Sequence, residues 1–295
     1  MKKATKSVLR QILPPFVVEL GKKFRGQGNG SGSAPDLEHS ETVAALRLEH
    51  ERRNRGTPEN EIVFRDGLAF KVHPESRLSV EYFCFLDPVM VAEMDCFLDL
   101  TKDRHRLLDV GALHGVFSLA FAARDPANQA VAIDASPLAF GRLLYNVHKN
   151  KFHNVTPLEY AVSDSPGTLH MHYEWEHAIA AEIEGPDYKY LEVAKTTGDD
   201  LCASLAFAPD VVKVDVEGHE VKVVKGLATT IQRQRPLVFL ELHPSRIRVE
   251  QDRVDDLAGI FENAGYTSRL IDGTAVGLRD IAKFVEDQRL VLTPA

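Results

Sequence analysis

Apolar runs that end in polar clusters recur along this chain. The clearest is Val211-Val212-Lys213-Val214-Asp215-Val216-Glu217-Gly218-His219-Glu220, a β-branched stretch closing in acids, a glycine and a histidine. This pattern predicts a buried strand that carries polar groups to its carboxyl end, where ligands bind in open α/β sheets. Leu107-Leu108-Asp109-Val110-Gly111-Ala112-Leu113-His114-Gly115 has the same form upstream. Leu237-Val238-Phe239-Leu240-Glu241-Leu242-His243-Pro244 repeats it downstream.

Periodicity fills in the rest. Strands are expected over 106–110, 130–134, 156–162, 211–216, 237–242 and 267–271, and helices over 116–124, 138–150, 220–233 and 253–264. Alternating strand and helix predicts an α/β fold, a mostly parallel sheet covered on both faces. The tail over 288–293 is expected to add an antiparallel edge strand. Before this core, Ile62, Phe64, Leu68, Phe70 and Val72 alternate around Asp66-Gly67, a hairpin signal. Val89, Val91, Met94, Phe97 and Leu98 then mark an amphipathic helix over 88–100.

The first stretch is different. Lys2, Lys3, Lys6, Arg10, Lys22, Lys23 and Arg25 make it basic, Pro14-Pro15 interrupts its apolar positions, and a glycine- and serine-rich linker follows over 26–33. It reads as a loosely docked arm or as a peripheral contact with an acidic membrane surface or a partner. A charged helix is expected over 36–55. The chain thus divides into an arm, linker and helix (1–60), a hairpin and helix (61–100) and a main domain (101–295).

Composition narrows the class. Of the 295 residues, 44% are hydrophobic and 26% charged, as in a soluble globular protein. The net charge of −8 argues against a general nucleic-acid binder. Cys84, Cys96 and Cys202 have no metal-ligand spacing and read as buried thiols of a reducing compartment. No apolar run is long enough to span a bilayer and no secretion signal is recognisable, so a cytoplasmic protein is expected.

Strand, glycine-bearing turn and helix let a backbone approach a charged ligand closely. The turn Gly111-Ala112-Leu113-His114-Gly115 lacks the middle glycine of the dinucleotide pattern, which favours a ligand without a pyrophosphate. Asp134, at the end of the next strand, is spaced to bind ribose hydroxyls. Asp164, in Val162-Ser163-Asp164-Ser165-Pro166-Gly167, is placed to accept from an adenine amino group, or simply belongs to a turn.

These blocks, with 236–243, resemble the FkbM family of S-adenosylmethionine-dependent methyltransferases over roughly 64–266, most specifically in Asp215-Val216-Glu217-Gly218-His219-Glu220. The resemblance implies a class I methyltransferase (Rossmann-like) fold with a seven-stranded sheet. It also implies O-methylation of a sugar, a glycan or a secondary metabolite. The cofactor is then expected at Asp109, Gly111, Ala112, His114, Gly115, Asp134, Ala135, Ser163, Asp164 and Asp215. Two positions depart from the family pattern: Leu113-His114 stand where Asn-Ile is usual, and Asp134-Ala135 where Glu-Pro is usual. His114 is expected to reach the cofactor carboxylate or the substrate, or to face solvent. A homodimer is expected from fold analogy.

Methyl transfer from a sulfonium is an in-line displacement, and an aliphatic hydroxyl needs a general base or a metal to become a nucleophile. Asp215, Glu217, His219, Glu241 and His243 are the candidate catalytic residues. Either His219 is the base, oriented by a carboxylate, or Asp215 and Glu241, with Glu217 or His243, hold magnesium or manganese. Lys213, inside an apolar strand, reads as a paired structural lysine. His170, His172 and His177 surround Tyr173 and Trp175 in a segment expected to lie near the site mouth, with Trp175 stacking on a sugar ring. Two competing classes are a nicotinamide-dependent sugar oxidoreductase or epimerase and a non-catalytic cofactor-binding protein.

Overall fold

The structure, a computed structural model, describes residues 61–63, 68–82, 86–174, 177–180 and 190–295. The basic arm, the linker, the helix expected over 36–55, the Asp66-Gly67 turn, Cys84 and Trp175 lie outside the described residues. No helix among the described residues is long and apolar enough to cross a membrane.

Strands β1 (Glu61–Val63) and β2 (Ala69–Lys71) pair antiparallel, with Ile62 opposite Phe70. Helices α1 (Arg77–Glu81) and α2 (Pro88–Leu100) follow. Asp87 caps α2 by accepting from the amides of Val89 and Met90, and Pro88 occupies the first turn, where it costs no hydrogen bond. The core then runs β3 (Arg106–Val110), α3 (Val116–Arg124), β4 (Gln129–Asp134), α4 (Pro137–Asn150) and β5 (Val155–Glu159). Strands β6 (Ala161–Ser163), β7 (Gly167–Glu174), β8 (His177–Ala180) and β9 (Tyr190–Thr197) come next. After them stand α5 (Gly198–Ser204), β10 (Val211–Val214), α6 (Glu220–Gly226), α7 (Ala228–Gln234) and β11 (Leu237–Leu242). The chain ends through α8 (Pro244–Val249), α9 (Val254–Asn263), β12 (Tyr266–Leu270), β13 (Ala275–Val276) and β14 (Gln288–Pro294).

The main sheet has the order β13-β12-β14-β11-β10-β3-β4-β5. Strands β5, β4, β3, β10 and β11 are parallel, and β14 runs against both its neighbours, β11 and β12. Seven strands with a single reversed member form the class I methyltransferase sheet, and the two-residue β13 extends its edge. The chain leaves the sheet at β5 and returns at β10 beside β3, so the strand order reverses between β3 and β10. That crevice is where an open α/β sheet binds its ligand.

Each face of the sheet has its own core. Leu107, Val211, Phe239 and Val291 pack with Phe97 of α2 and Phe117 of α3, whose rings meet edge to face 5.1 Å apart. Leu108, Val110, Val212, Val214 and Leu240 pack on the other face with Val221, Leu257 and Phe261. Burial of such side chains contributes roughly 1.5–3 kcal/mol each.

Four features differ from the expectation. The strand expected over 156–162 is two strands: β5 ends at Glu159, and β6 leaves the sheet to pair with β9. Pro157, which cannot donate to a ladder, is tolerated because β5 is an edge strand. The polar segment after β6 builds a second sheet of order β6-β9-β7-β8, around Ala161, Met171 and Val193. The tail strand β14 is not at the edge but between β11 and β12, because Leu290, Val291 and Leu292 are buried on both faces. The helix expected over 220–233 breaks into α6 and α7 at Leu227.

At the end of α6, a Cβ on Gly226 would stand 2.0 Å from the Ser163 carbonyl oxygen. Helix α6 therefore packs on β6 only without a side chain there. Gly226→Ala is expected to destabilise the fold by about 1–3 kcal/mol, the usual cost of overpacking. Gly141, inside α4, has nothing within 4 Å of its Cβ position. Gly141→Ala is expected to stabilise by about 0.5–1 kcal/mol. Urea unfolding of the two variants checks both signs.

Candidate active site

The glycine turn after β3 is clamped from two sides. A Cβ on Gly111, whose φ is +80°, would fall 1.7 Å from the Asp215 carbonyl oxygen, so the turn presses directly on the end of β10. The Asp215 amide in turn donates to the Val110 carbonyl at 3.0 Å. On the other side, the amides of Gly111 and Ala112 both donate to the Ile133 carbonyl at 2.9 Å, and that of Leu113 to Asp134 Oδ2 at 2.7 Å. Asp134 Oδ1 accepts from the Ser136 amide at 2.9 Å, beyond Ala135. Burial pushes Asp134 up to about 6, against the pull of the two amides.

Asp109 is buried beneath this turn, where the Ser118 hydroxyl donates to it at 2.7 Å and burial raises its carboxyl. Gly115 is the N-cap of α3. His114 does not face solvent: it is fully buried, its carbonyl accepts from Asn146, and its Nε2 lies 3.5 Å from Arg142 Nη1. Arg142 also donates to Glu75 at 2.7 Å, which ties the segment before α1 to the back of the turn.

The predicted polar residues separate into two groups. His219 is buried, 3.0 Å from Ser163 Oγ through Nε2 and 3.6 Å from Glu250 through Nδ1. It joins the end of β6 to the start of α6. Asp164 beside it is exposed and accepts from Ser165 at 3.1 Å. Asp215, Glu217 and His243 form the second group, with one ligand atom of each lying within 4.8 Å of the others. Glu241 stands next to it, 3.8 Å from His243 Nε2, and pairs with Arg289 at 2.7 Å.

His243 is held from behind. Its Nδ1 lies 2.7 Å from Glu220 Oε1, which also accepts from the Gly218 amide at 2.8 Å. Its Nε2 lies 3.3 Å from Glu217 Oε2, an oxygen that Arg246 also contacts. Burial alone would lower His243, but Glu220, Glu217 and Glu241 raise it to about 10.

Beneath the group runs a chain of buried ion pairs. Lys213 Nζ lies 3.3 Å from Asp215 and 3.5 Å from Glu93, and 4.4 Å above the Phe117 ring. Arg289 donates to Glu93 at 2.8 Å and continues to Glu241. In spite of burial, Lys213, His243 and Arg289 hold Asp215 at about 2. Burial and the nearby Asp215 push Glu241 well above the carboxylate range. Lys213 is thus the paired structural lysine its setting predicts. Sequence reasoning did not find Glu93, Arg289 or the role of Glu220. The one signal is a lone acid among the apolar positions Met90, Met94 and Phe97 of α2, where Glu93 is buried.

Of the other histidines, His170 lies on β7, exposed, 3.1 Å from Glu192 of β9. His172 and His177 belong to β7 and β8 of the second sheet.

Comparison with known proteins bears on this end of the sheet. Hexuronic acid methyltransferase AglP of Haloferax volcanii is 31% identical over 118 residues, 38% of this chain and 46% of that protein. The chain therefore spans less than half the length of that curated relative. Among solved structures, methyltransferase FkbM from Methylobacillus flagellatus matches 64% of this chain and 44% of its own, with 16% identity and a TM-score of 0.42. Precorrin-6y C5,15-methyltransferase from Geobacter metallireducens matches 68% and 87%, with 11% identity and a TM-score of 0.41. The family model of the methyltransferase FkbM domain matches residues 109–268, from the acid under the glycine turn through both polar strand ends to β12. By that match, over more than half its length, the chain belongs to the FkbM methyltransferase family.

Proposed function

We propose that this chain transfers a methyl group from S-adenosylmethionine to a hydroxyl of a sugar or glycan. The observation that carries the reading is that the Asp134-anchored turn and the Asp215–His243 group stand side by side at one end of the sheet, joined where Gly111 meets Asp215. When bound, the cofactor supplies an electrophilic methyl on a sulfonium.

The residues present fit that cofactor. Each Asp134 oxygen accepts one backbone amide, which leaves lone pairs for two ribose hydroxyls. Asp164, exposed at the end of β6, is available to an adenine amino group. The turn 111–115 would follow the amino-acid part. Asp215 is ionised across neutral pH and accepts the hydrogen bond, and then the proton, of the incoming hydroxyl, and His243, held by Glu220, stands beside it. His219, tied to Ser163 and Glu250, orients the loop between β10 and α6. The second sheet, which begins at β6, would wall the acceptor side. The name of the hexuronic acid methyltransferase relative supports a sugar acceptor.

Calorimetric titration tests the cofactor: S-adenosylmethionine should bind and NAD should not, and selective NAD binding would overturn the reading. Asp134 accepts ribose hydroxyls best when ionised, so affinity should rise with pH through about 6 and level off above it. A value about tenfold weaker at pH 5 than at pH 7.5 is expected. Asp134→Asn should bind more weakly and lose this pH dependence. Labelled methyl transfer to uronic-acid and neutral glycans tests the acceptor. Product methylated on a hydroxyl is expected, whereas cofactor binding without transfer to any glycan would favour a non-catalytic binding protein.

A further inference from the structure

We propose that Asp215, Glu217 and His243 form a divalent-cation site, with Glu220 as the residue that orients the imidazole. As a place for an ion beside the acceptor hydroxyl, it rests on the methyl-transfer reading; as a metal site it stands on the following geometry.

One donor atom from each of the three residues lies within 4.8 Å of the others. Donors about 2.0–2.3 Å from a shared ion are at most about 4.6 Å apart, so small side-chain adjustments suffice. The donors come from the ends of two adjacent strands and the loop between β10 and α6. The side chains of Asp215 and Glu217 are 18% and 25% exposed, so an ion can enter from solvent.

His243 is set up as a ligand through Nε2. Its Nδ1 is occupied by Glu220 at 2.7 Å, which fixes that nitrogen as the donor and turns the other toward Glu217 and Asp215. A carboxylate behind a histidine is the usual support of a metal-binding imidazole.

The charge balance points the same way. Asp215 faces Lys213, Glu241 faces Arg289, and Glu217 faces Arg246. Glu220 is fully buried, and among the described residues its ionic contact is with His243 alone. Its Oε2 has no hydrogen-bond partner among the described residues. A buried carboxylate needs compensating charge. A proton on His243, or a cation on its far nitrogen, supplies it through the ring. Two carboxylates favour magnesium or manganese, and the imidazole tips the choice to manganese. Arg246, which contacts the same Glu217 oxygen, is partly exposed and would swing toward solvent.

The test is manganese binding to the chelator-treated full chain without cofactor, followed by electron paramagnetic resonance and calorimetry. Wild type should bind one ion, Asp215→Asn and His243→Gln should lose it, and Glu220→Gln should weaken it by roughly 10–100-fold. Paramagnetic broadening of the His243 ring resonances in the wild type tests the same contact without any substitution. No binding by the wild type, or binding that leaves the His243 ring unbroadened or survives both ligand substitutions, overturns the site. Since no cofactor is present, either result leaves the S-adenosylmethionine titration to decide the methyl-transfer reading separately.

Discussion

Charge buried at the carboxyl ends of β10 and β11 is the constraint around which this structure is organised. Taking an ion out of water costs several kcal/mol unless a partner and hydrogen bonds compensate. The chain answers with an alternating series, Asp215–Lys213–Glu93–Arg289–Glu241, that crosses four elements. Two of its members come from outside the family-matched segment: Glu93 from α2 before it and Arg289 from β14 after it. Without them, Lys213 and Glu241 would keep their charge or burial with fewer partners. The flanking segments are therefore part of the site's electrostatics as well as of its packing.

The second organising contact is the one between the Gly111 turn and the Asp215 carbonyl. It fixes the glycine turn after β3 to the end of β10 through backbone atoms, which have little freedom to drift. The amides of Gly111, Ala112 and Leu113 hold the turn to the end of β4, so β4, β3 and β10 are tied together there. A methyl transfer that demands in-line alignment benefits from a frame of this kind.

The two groups of polar residues differ in kind. His219, Ser163 and Glu250 tie the end of β6 to α6 and to the residue after α8. Asp215, Glu217 and His243 converge with their polar atoms toward one another, and Asp215 and Glu217 retain access to solvent. The same short stretch of sequence, from Asp215 to Glu220, supplies members of both. A sharp turn with Glu217 at φ +56° and Gly218 at φ +115° stands between Asp215 and His219.

What the sequence determined by itself was everything that depends on local pattern. The parallel strands β3, β4, β10 and β11, the helices α2, α3, α4 and α9, and the acids and glycines at the strand ends all follow from apolar periodicity and turn chemistry. Tertiary structure alone decided the rest. Leu290-Val291-Leu292 reads as a strand, but its place between β11 and β12 depends on which edges are free to pair. The break between β5 and β6 depends on a second sheet that forms with residues more than thirty positions later, Ala161 opposite Lys195. Several polar side chains likewise took their roles from partners remote in the chain: His243 from Glu220, His219 from Ser163, Glu93 from Arg289. The physical reason is that hydrophobic patterning specifies which face of an element is buried, whereas the partner of a buried charge is set by how elements pack, which no local pattern encodes.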